Sequence, residues 1–227
     1  GTDTMTDRQP KDGYVFVVTY GRSGSTLLQT VLQSIDGYFF RGENNNAILP
    51  LFRSFKRIKG ALEDHGYREI PDHGPWFGAD KFNPDRYAQK LLQVFLEEVI
   101  QPPKDARVVG FKEIRFNETG PIEFVDLLNF MADHFKPARF IFNMRRWEDV
   151  SQSGWWKDYE PEKVRREVEK NDRQFIAYAE AHPERSYLMR YEDYSGKPEQ
   201  FEGLFDFLGE PFDLEKMRAI SERRLKH

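Results

Sequence analysis

The sequence predicts an α/β fold, a three-layer α/β/α arrangement around a mainly parallel sheet of four or five strands. One observation is the apolar, β-branched run Tyr14-Val15-Phe16-Val17-Val18-Thr19, which passes through Gly21 and Gly24 into a helical pattern. A second is that short buried-type strands recur at Arg107–Phe111, Arg139–Asn143 and Ser186–Arg190, with amphipathic helices between them. Strands alternating with helices of that length imply parallel pairing through crossovers. The third is size: 227 residues, 39% hydrophobic and 15% aromatic, suffice for one domain with a real core.

Each element has its own signal. Leu27, Leu28, Val31, Leu32 and Ile35 lie at helical spacing, and Gly37 is placed to cap that helix. From Gly42 to Asn83 the chain is rich in Gly, Pro, Asn and His, with a helix around Leu49–Leu62 and the aromatic pair Trp76-Phe77, and reads as substrate-facing excursions. Asn83-Pro84 starts a helix with a cap residue and a first-turn proline; Tyr87, Leu91, Leu92, Phe95 and Val99 continue one face until Pro102-Pro103. A helix over Pro121–His134 and a long charged helix over about Glu162–Ala181 complete the pattern. Residues 1–12 read as a disordered or extraneous tail and residues 13–227 as a single domain.

Composition excludes several classes. A formal charge of −4 offers no general attraction for nucleic acid or anionic membrane, so an anion must be held by a local group of Arg and Lys. With no cysteine, disulfides, thiolate catalysis and cysteine–zinc sites are ruled out. No apolar run approaches the ~18 residues that span a bilayer, and no signal peptide is seen; the expectation is a soluble, cytoplasmic chain.

The strand–glycine–helix segment Tyr20-Gly21-Arg22-Ser23-Gly24-Ser25-Thr26 makes an anion site, because a helix N-terminus presents unpaired N–H groups and the positive end of its dipole. A nucleotide phosphate loop of the GxxxxGK[ST] type has Lys before its Ser/Thr, whereas Gly24 holds that position here. ATP and GTP are thereby disfavoured. Ligands of such sheets sit beyond the carboxyl ends of the strands. Four strand ends supply Gly21–Thr26, Lys112-Glu113-Ile114-Arg115, Arg145-Arg146 and Tyr191-Glu192-Asp193.

Taken together these segments resemble the sulfotransferases that use 3′-phosphoadenosine 5′-phosphosulfate (PAPS), the carbohydrate-type and bacterial ones in particular. The loop at Tyr20–Leu28 resembles the family's 5′-phosphosulfate loop, which implies a P-loop-like domain with donor contacts at Arg22, Ser23, Gly24, Ser25 and Thr26. Phe142–Ser153 resembles the 3′-phosphate motif, with Arg145 at a strand end and Ser153 eight positions on. Leu188–Asp193 resembles the segment near the nucleotide and brings in Tyr191. The resemblance implies transfer of a sulfuryl group to an acceptor hydroxyl or amine, release of adenosine 3′,5′-bisphosphate (PAP) and no metal. A nucleotide-dependent kinase and a non-catalytic nucleotide-binding protein are the alternatives.

PAPS carries anionic groups at both ends of its ribose and needs two separate cationic sites, which the Arg22 and Arg145 segments supply. Arg22 and Lys112 are the candidates for charge stabilisation, Arg being unable to act as a weak acid. A general base must take the acceptor proton. Cytosolic family members have Lys-x-His after the second strand, but here the stretch is Lys112-Glu113-Ile114. Glu43, at a position some carbohydrate sulfotransferases use, is the candidate base, with Glu113 as runner-up. Arg146 reads as a surface ion-pair former, and Arg223 or Arg224 as a substitute for the family's basic C-terminal segment.

Overall fold

The computed structural model describes residues 9–225; the rest of the expected N-terminal tail, residues 1–8, lies outside the described residues. Five parallel strands form one sheet: β1 (Tyr14–Val18), β2 (Tyr38–Arg41), β3 (Val108–Glu113), β4 (Ala138–Met144) and β5 (Ser186–Arg190), in the order β2-β3-β1-β4-β5. The helices between them are α1 (Ser25–Gln33), α2 (Ile48–His65), α3 (Pro84–Phe95), α4 (Pro121–His134), α5 (Trp147–Ser151) and α6 (Pro161–Ala181), followed after β5 by α7 (Tyr191–Tyr194), α8 (Glu202–Leu208) and α9 (Leu214–Leu225). Among the described residues no helix is long and apolar enough to cross a membrane.

Alternation along β1 explains the three layers. Tyr14, Phe16 and Val18 point into a core built with α2, α3, α4 and α6, whereas Val15 and Val17 point into a second core with α1, α8 and α9. Every residue of β1 is therefore buried, and its sequence is a continuous apolar run instead of a half-polar alternation. On the first face Phe16 packs against Phe111, Phe135 and Phe140 at centroid distances of 5.0–5.7 Å, a geometry that adds specificity to the area buried.

Some elements differ from expectation. Tyr38–Arg41 is a fifth strand at the sheet edge, hydrogen-bonded along β3 from Val108 to Phe111. Four residues after a glycine turn carry too short a pattern to announce a strand. Helix α1 stops at Gln33, and Gly37 (φ 82°) opens β2 instead of capping the helix; its carbonyl accepts the N–H groups of Arg107 and Val108. The helical face predicted to run from Asn83 to Val99 continues past Phe95 as one π-turn over Leu96–Ile100. The segment just before β1 is tied down, since the Asp12 N–H donates to Arg107 O at 2.8 Å and the Arg107 guanidinium bridges the Asp12 and Glu210 carboxylates.

Parallel strands place all five carboxyl ends on one edge, and close packing of β3 on β1 is a condition for it. A Cβ on Gly110 would overlap the carbonyl oxygen of Val15, its register partner. Gly110→Ala is expected to destabilise the fold by about 1–3 kcal/mol or more, the range for overpacked cores, read as a lower denaturant midpoint; an unchanged midpoint contradicts the register.

Candidate active site

The loop between β1 and α1 is shaped by what captures its carbonyls. Gly21 O accepts from Trp156 Nε1 at 3.2 Å, Arg22 O from Arg145 Nη1 at 2.9 Å, and Ser23 O from Asn143 Nδ2 at 3.0 Å. Three consecutive carbonyls are thus occupied by side chains from β4 and the segment after it. Beneath them the fully buried Thr19 donates to Asn143 O at 2.7 Å and so accepts the Ser23 hydroxyl at 2.6 Å, its single proton being spent. Tyr194 OH completes the set by donating to Asn143 Oδ1 at 2.7 Å.

This path requires left-handed backbone twice, at Arg22 (φ 64°) and Gly24 (φ 78°). A Cβ at Gly24 would overlap the Tyr191 ring, so glycine is needed there for conformation and for close approach. Helix α1 then begins at Ser25 with no side-chain cap and no acidic residue in its first turn. Its first N–H groups are left for an anion.

The strand ends meet in one cavity of about 630 Å³, lined by Gly21–Thr26, Glu43, Lys112, Ile114, Arg115, Arg145, Ser153, Gly154, Trp155 and Arg224. Of the sequence-predicted residues, Arg22–Thr26, Glu43, Lys112, Arg145, Ser153 and Arg224 line it, whereas Glu113, Arg223 and Tyr191 do not; Tyr191 lies under Arg145, with the guanidinium 4.5 Å from its ring centroid. Arg145 Nε is buried without a partner, a donor whose desolvation is uncompensated in the protein alone. The Ser153 hydroxyl donates back to Asp149 O at 3.0 Å, leaving its oxygen free to accept. The Arg22 side chain lies against Gly154, where a Cβ would overlap its guanidinium. As expected, Arg146 faces out and pairs with Glu148 and Asp149 at 3.8 and 3.7 Å.

The two candidate bases differ in commitment. Glu113, 1% exposed, accepts the backbone N–H groups of Asn46 at 2.7 Å, Ile114 at 2.8 Å and Asn44 at 3.4 Å. It fastens the loop after β2 to the end of β3. Glu43, on that fastened loop, lines the cavity with its carboxylate 3.6 Å from Lys112 Nζ, the Lys side chain being 8% and the Glu side chain 39% exposed. Lys112 is thus a buried cation paired, among the described residues, with Glu43.

Sequence reasoning missed the support behind Arg145. Tyr20 OH accepts the Arg145 N–H at 2.7 Å and lies within hydrogen-bond reach of Asp172 Oδ1 at 2.9 Å and Arg145 O at 3.0 Å. Burial pushes the Tyr20 hydroxyl far up, and the Asp172 charge adds to the shift. Burial also raises Asp172 to about 6, against the opposing effect of the Tyr20 hydrogen bond. Asp172 lies inside the charged run of α6, so a solvated helix face is what its sequence context suggests; Trp155 and Trp156, stacked at 4.2 Å, carried only an aromatic signal.

The uncapped helix start, the captured loop carbonyls and the arginines meet at one edge of the sheet, an arrangement suited to binding an anion. The sequence pattern of the Sulfotransferase family matches residues 14–214, and the chain belongs to that family. The crystal structure of sulfotransferase STF9 from Mycobacterium avium is similar, with a TM-score of 0.48 and 13% identity over 96% of this chain and 69% of that one. No curated protein sequence matches.

The raised Asp172 value means that the folded chain holds this proton more tightly than the unfolded one. Asp172 therefore favours folding most fully below its ordinary value near 4, and that contribution is lost as pH rises through about 6. Asp172→Asn is expected to flatten the fall in unfolding free energy between pH 4 and 7, measured by denaturant titration at each pH. Parallel curves for the two proteins would contradict the assignment.

Proposed function

We propose that the chain transfers a sulfuryl group from PAPS to an acceptor hydroxyl or amine and releases PAP. The observation that carries this reading is the convergence in one cavity of the β1–α1 loop, Arg145 with Ser153 on one side, and Lys112 with Glu43 on the other. A donor with phosphates at two separate positions asks for two separated cationic sites, and the residues present fit it. Buried and unpartnered, Arg145 Nε is a donor suited to the 3′-phosphate, with Ser153 beside it and Tyr191 as the plate beneath the guanidinium. The N–H groups of Gly24, Ser25 and Thr26 suit the 5′-phosphate and the adjoining sulfuryl oxygens. Ser23 contributes its backbone, since its hydroxyl is consumed by Thr19.

When bound, the donor supplies an activated sulfuryl group; the protein's work is orientation and charge. Arg22 and Lys112 stand where negative charge must be stabilised on transferring and leaving oxygens. Glu43, held 3.6 Å from the Lys112 ammonium, receives the acceptor's proton. Glu113 acts behind it as a positioning residue, since its oxygens are already filled by backbone N–H groups.

Calorimetric titration with PAP, compared with ATP plus Mg²⁺, tests the donor site. Micromolar PAP binding is expected, weakened in Arg145→Ala by the ~1.5–3 kcal/mol of a charged hydrogen bond; a preference for Mg-ATP contradicts the reading. For Glu43→Gln, turnover of PAPS with acceptor should drop ~10²–10⁴-fold while PAP affinity stays as in the parent. Full activity in that variant removes Glu43 from the mechanism.

A further inference from the structure

We propose that the acceptor carries an oxyanion, a carboxylate or a sulfate ester, which binds Arg115 at the β3 end of the cavity; this rests on the sulfotransferase reading above. The strand order sets the geometry. β3 and β4 flank β1 on opposite sides, so Arg115, two residues beyond β3, and Arg145, one beyond β4, stand on opposite sides of the β1–α1 loop. In-line transfer brings the acceptor to sulfur from the side opposite the leaving oxygen. With the 3′-phosphate at Arg145, the acceptor enters from the β3 and β2 side, where Glu43 and Arg115 stand.

The cations of the cavity are not equivalent. Lys112 is paired with Glu43, Arg145 holds Arg22 O and lies over Tyr191, and Arg22 packs on Gly154. The Arg115 guanidinium has no hydrogen bond or ion pair among the described residues, and its side chain is exposed into the cavity. Its backbone, in contrast, is pinned: Arg115 O accepts the Glu118 N–H at 3.1 Å and Asn46 Nδ2 at 3.4 Å. Asn46, 2% exposed, is also the residue whose N–H Glu113 holds at 2.7 Å. Glu43 and Arg115 are therefore fastened to each other through Asn46 and Glu113. A carboxylate and an unpaired guanidinium lining one cavity, each carried on anchored backbone, suit an acceptor with a hydroxyl at one point and an oxyanion at another, and the planar fork of Arg suits a bidentate oxyanion.

The test uses the whole chain saturated with PAP and three calorimetric probes: 4-nitrophenyl β-D-glucuronide, 4-nitrophenyl β-D-glucoside 6-sulfate and the uncharged 4-nitrophenyl β-D-glucoside. At least one anionic probe is expected to bind tenfold or more tighter than the glucoside, which of them identifying the oxyanion, and Arg115→Gln is expected to erase that preference with PAP affinity within twofold of the parent. Equal or absent binding of all three, or a preference that survives Arg115→Gln, overturns the proposal while PAP binding leaves the sulfotransferase reading standing. A tenfold loss of PAP affinity in Arg115→Gln also overturns it, by making Arg115 a donor contact. Failure of the parent protein to bind PAP overturns both.

Discussion

Capture of the carbonyls of Gly21, Arg22 and Ser23 by Trp156, Arg145 and Asn143 is the interaction on which the rest of the site depends. A backbone carbonyl pointing into an anion site would repel the ligand and cancel the benefit of a neighbouring N–H. Occupying three in succession turns the loop so that its donors are the groups left over, and it does so with side chains from the β4 side of the sheet. The left-handed conformations at Arg22 and Gly24 follow from the same path, since a right-handed continuation would not meet those three donors in turn. Arg145 plays two parts: Nη1 shapes the loop, while Nε remains buried and unpaired in a side chain that lines the cavity.

Much of this was legible in the sequence, and the reason is locality. Loop, glycines and helix start occupy consecutive residues, and Arg145 with Ser153 has a fixed spacing across a strand end and a short helix. The five-stranded parallel sheet agrees with the expected four or five strands. What the sequence does not carry are contacts between distant segments that use ordinary residue types. Tyr20 meets Asp172 across 152 positions, and nothing in a run of Glu, Lys, Arg and Asp along α6 marks one Asp as half-buried and turned to Tyr20. Edge strand β2 escapes for a different reason: its four residues, Tyr-Phe-Phe-Arg, show no usable alternation and owe their conformation to pairing with β3. Trp156 shows only an aromatic residue in the sequence, and its role as a donor to Gly21 O depends on a fold-level approach.

Glu43 and Glu113 show how identical chemistry is divided by surroundings. Both stand within a residue or two of a strand end on the same side of the cavity, and sequence alone leaves the base unassigned between them. Three backbone N–H groups converge on the buried Glu113 carboxylate, which makes it a structural clasp committed to the backbone. Among the described residues Glu43 has Lys112 as its ionic neighbour, and its carboxylate is partly exposed at the cavity, as the proposed exchange of a proton with a bound molecule requires. On the proposed mechanism the clasp serves the base, because it fastens the loop that carries Glu43 beside Lys112.

Volume would not have found this site. A larger cavity, about 770 Å³, lies between α2, α3 and α4 over Phe52, Phe55 and Phe130. Its rim carries Lys56, Lys59 and Lys136 together with Glu63, Asp85, Asp126 and Asp133, so opposite charges face one another and no single sign of ligand is favoured. The smaller cavity is lined by four arginines and a lysine against one carboxylate, and an uncapped helix points into it. A desolvated donor without a partner marks where a ligand can complete the structure, and Arg145 Nε is such a donor at the carboxyl edge, where a parallel sheet brings distant segments of sequence together.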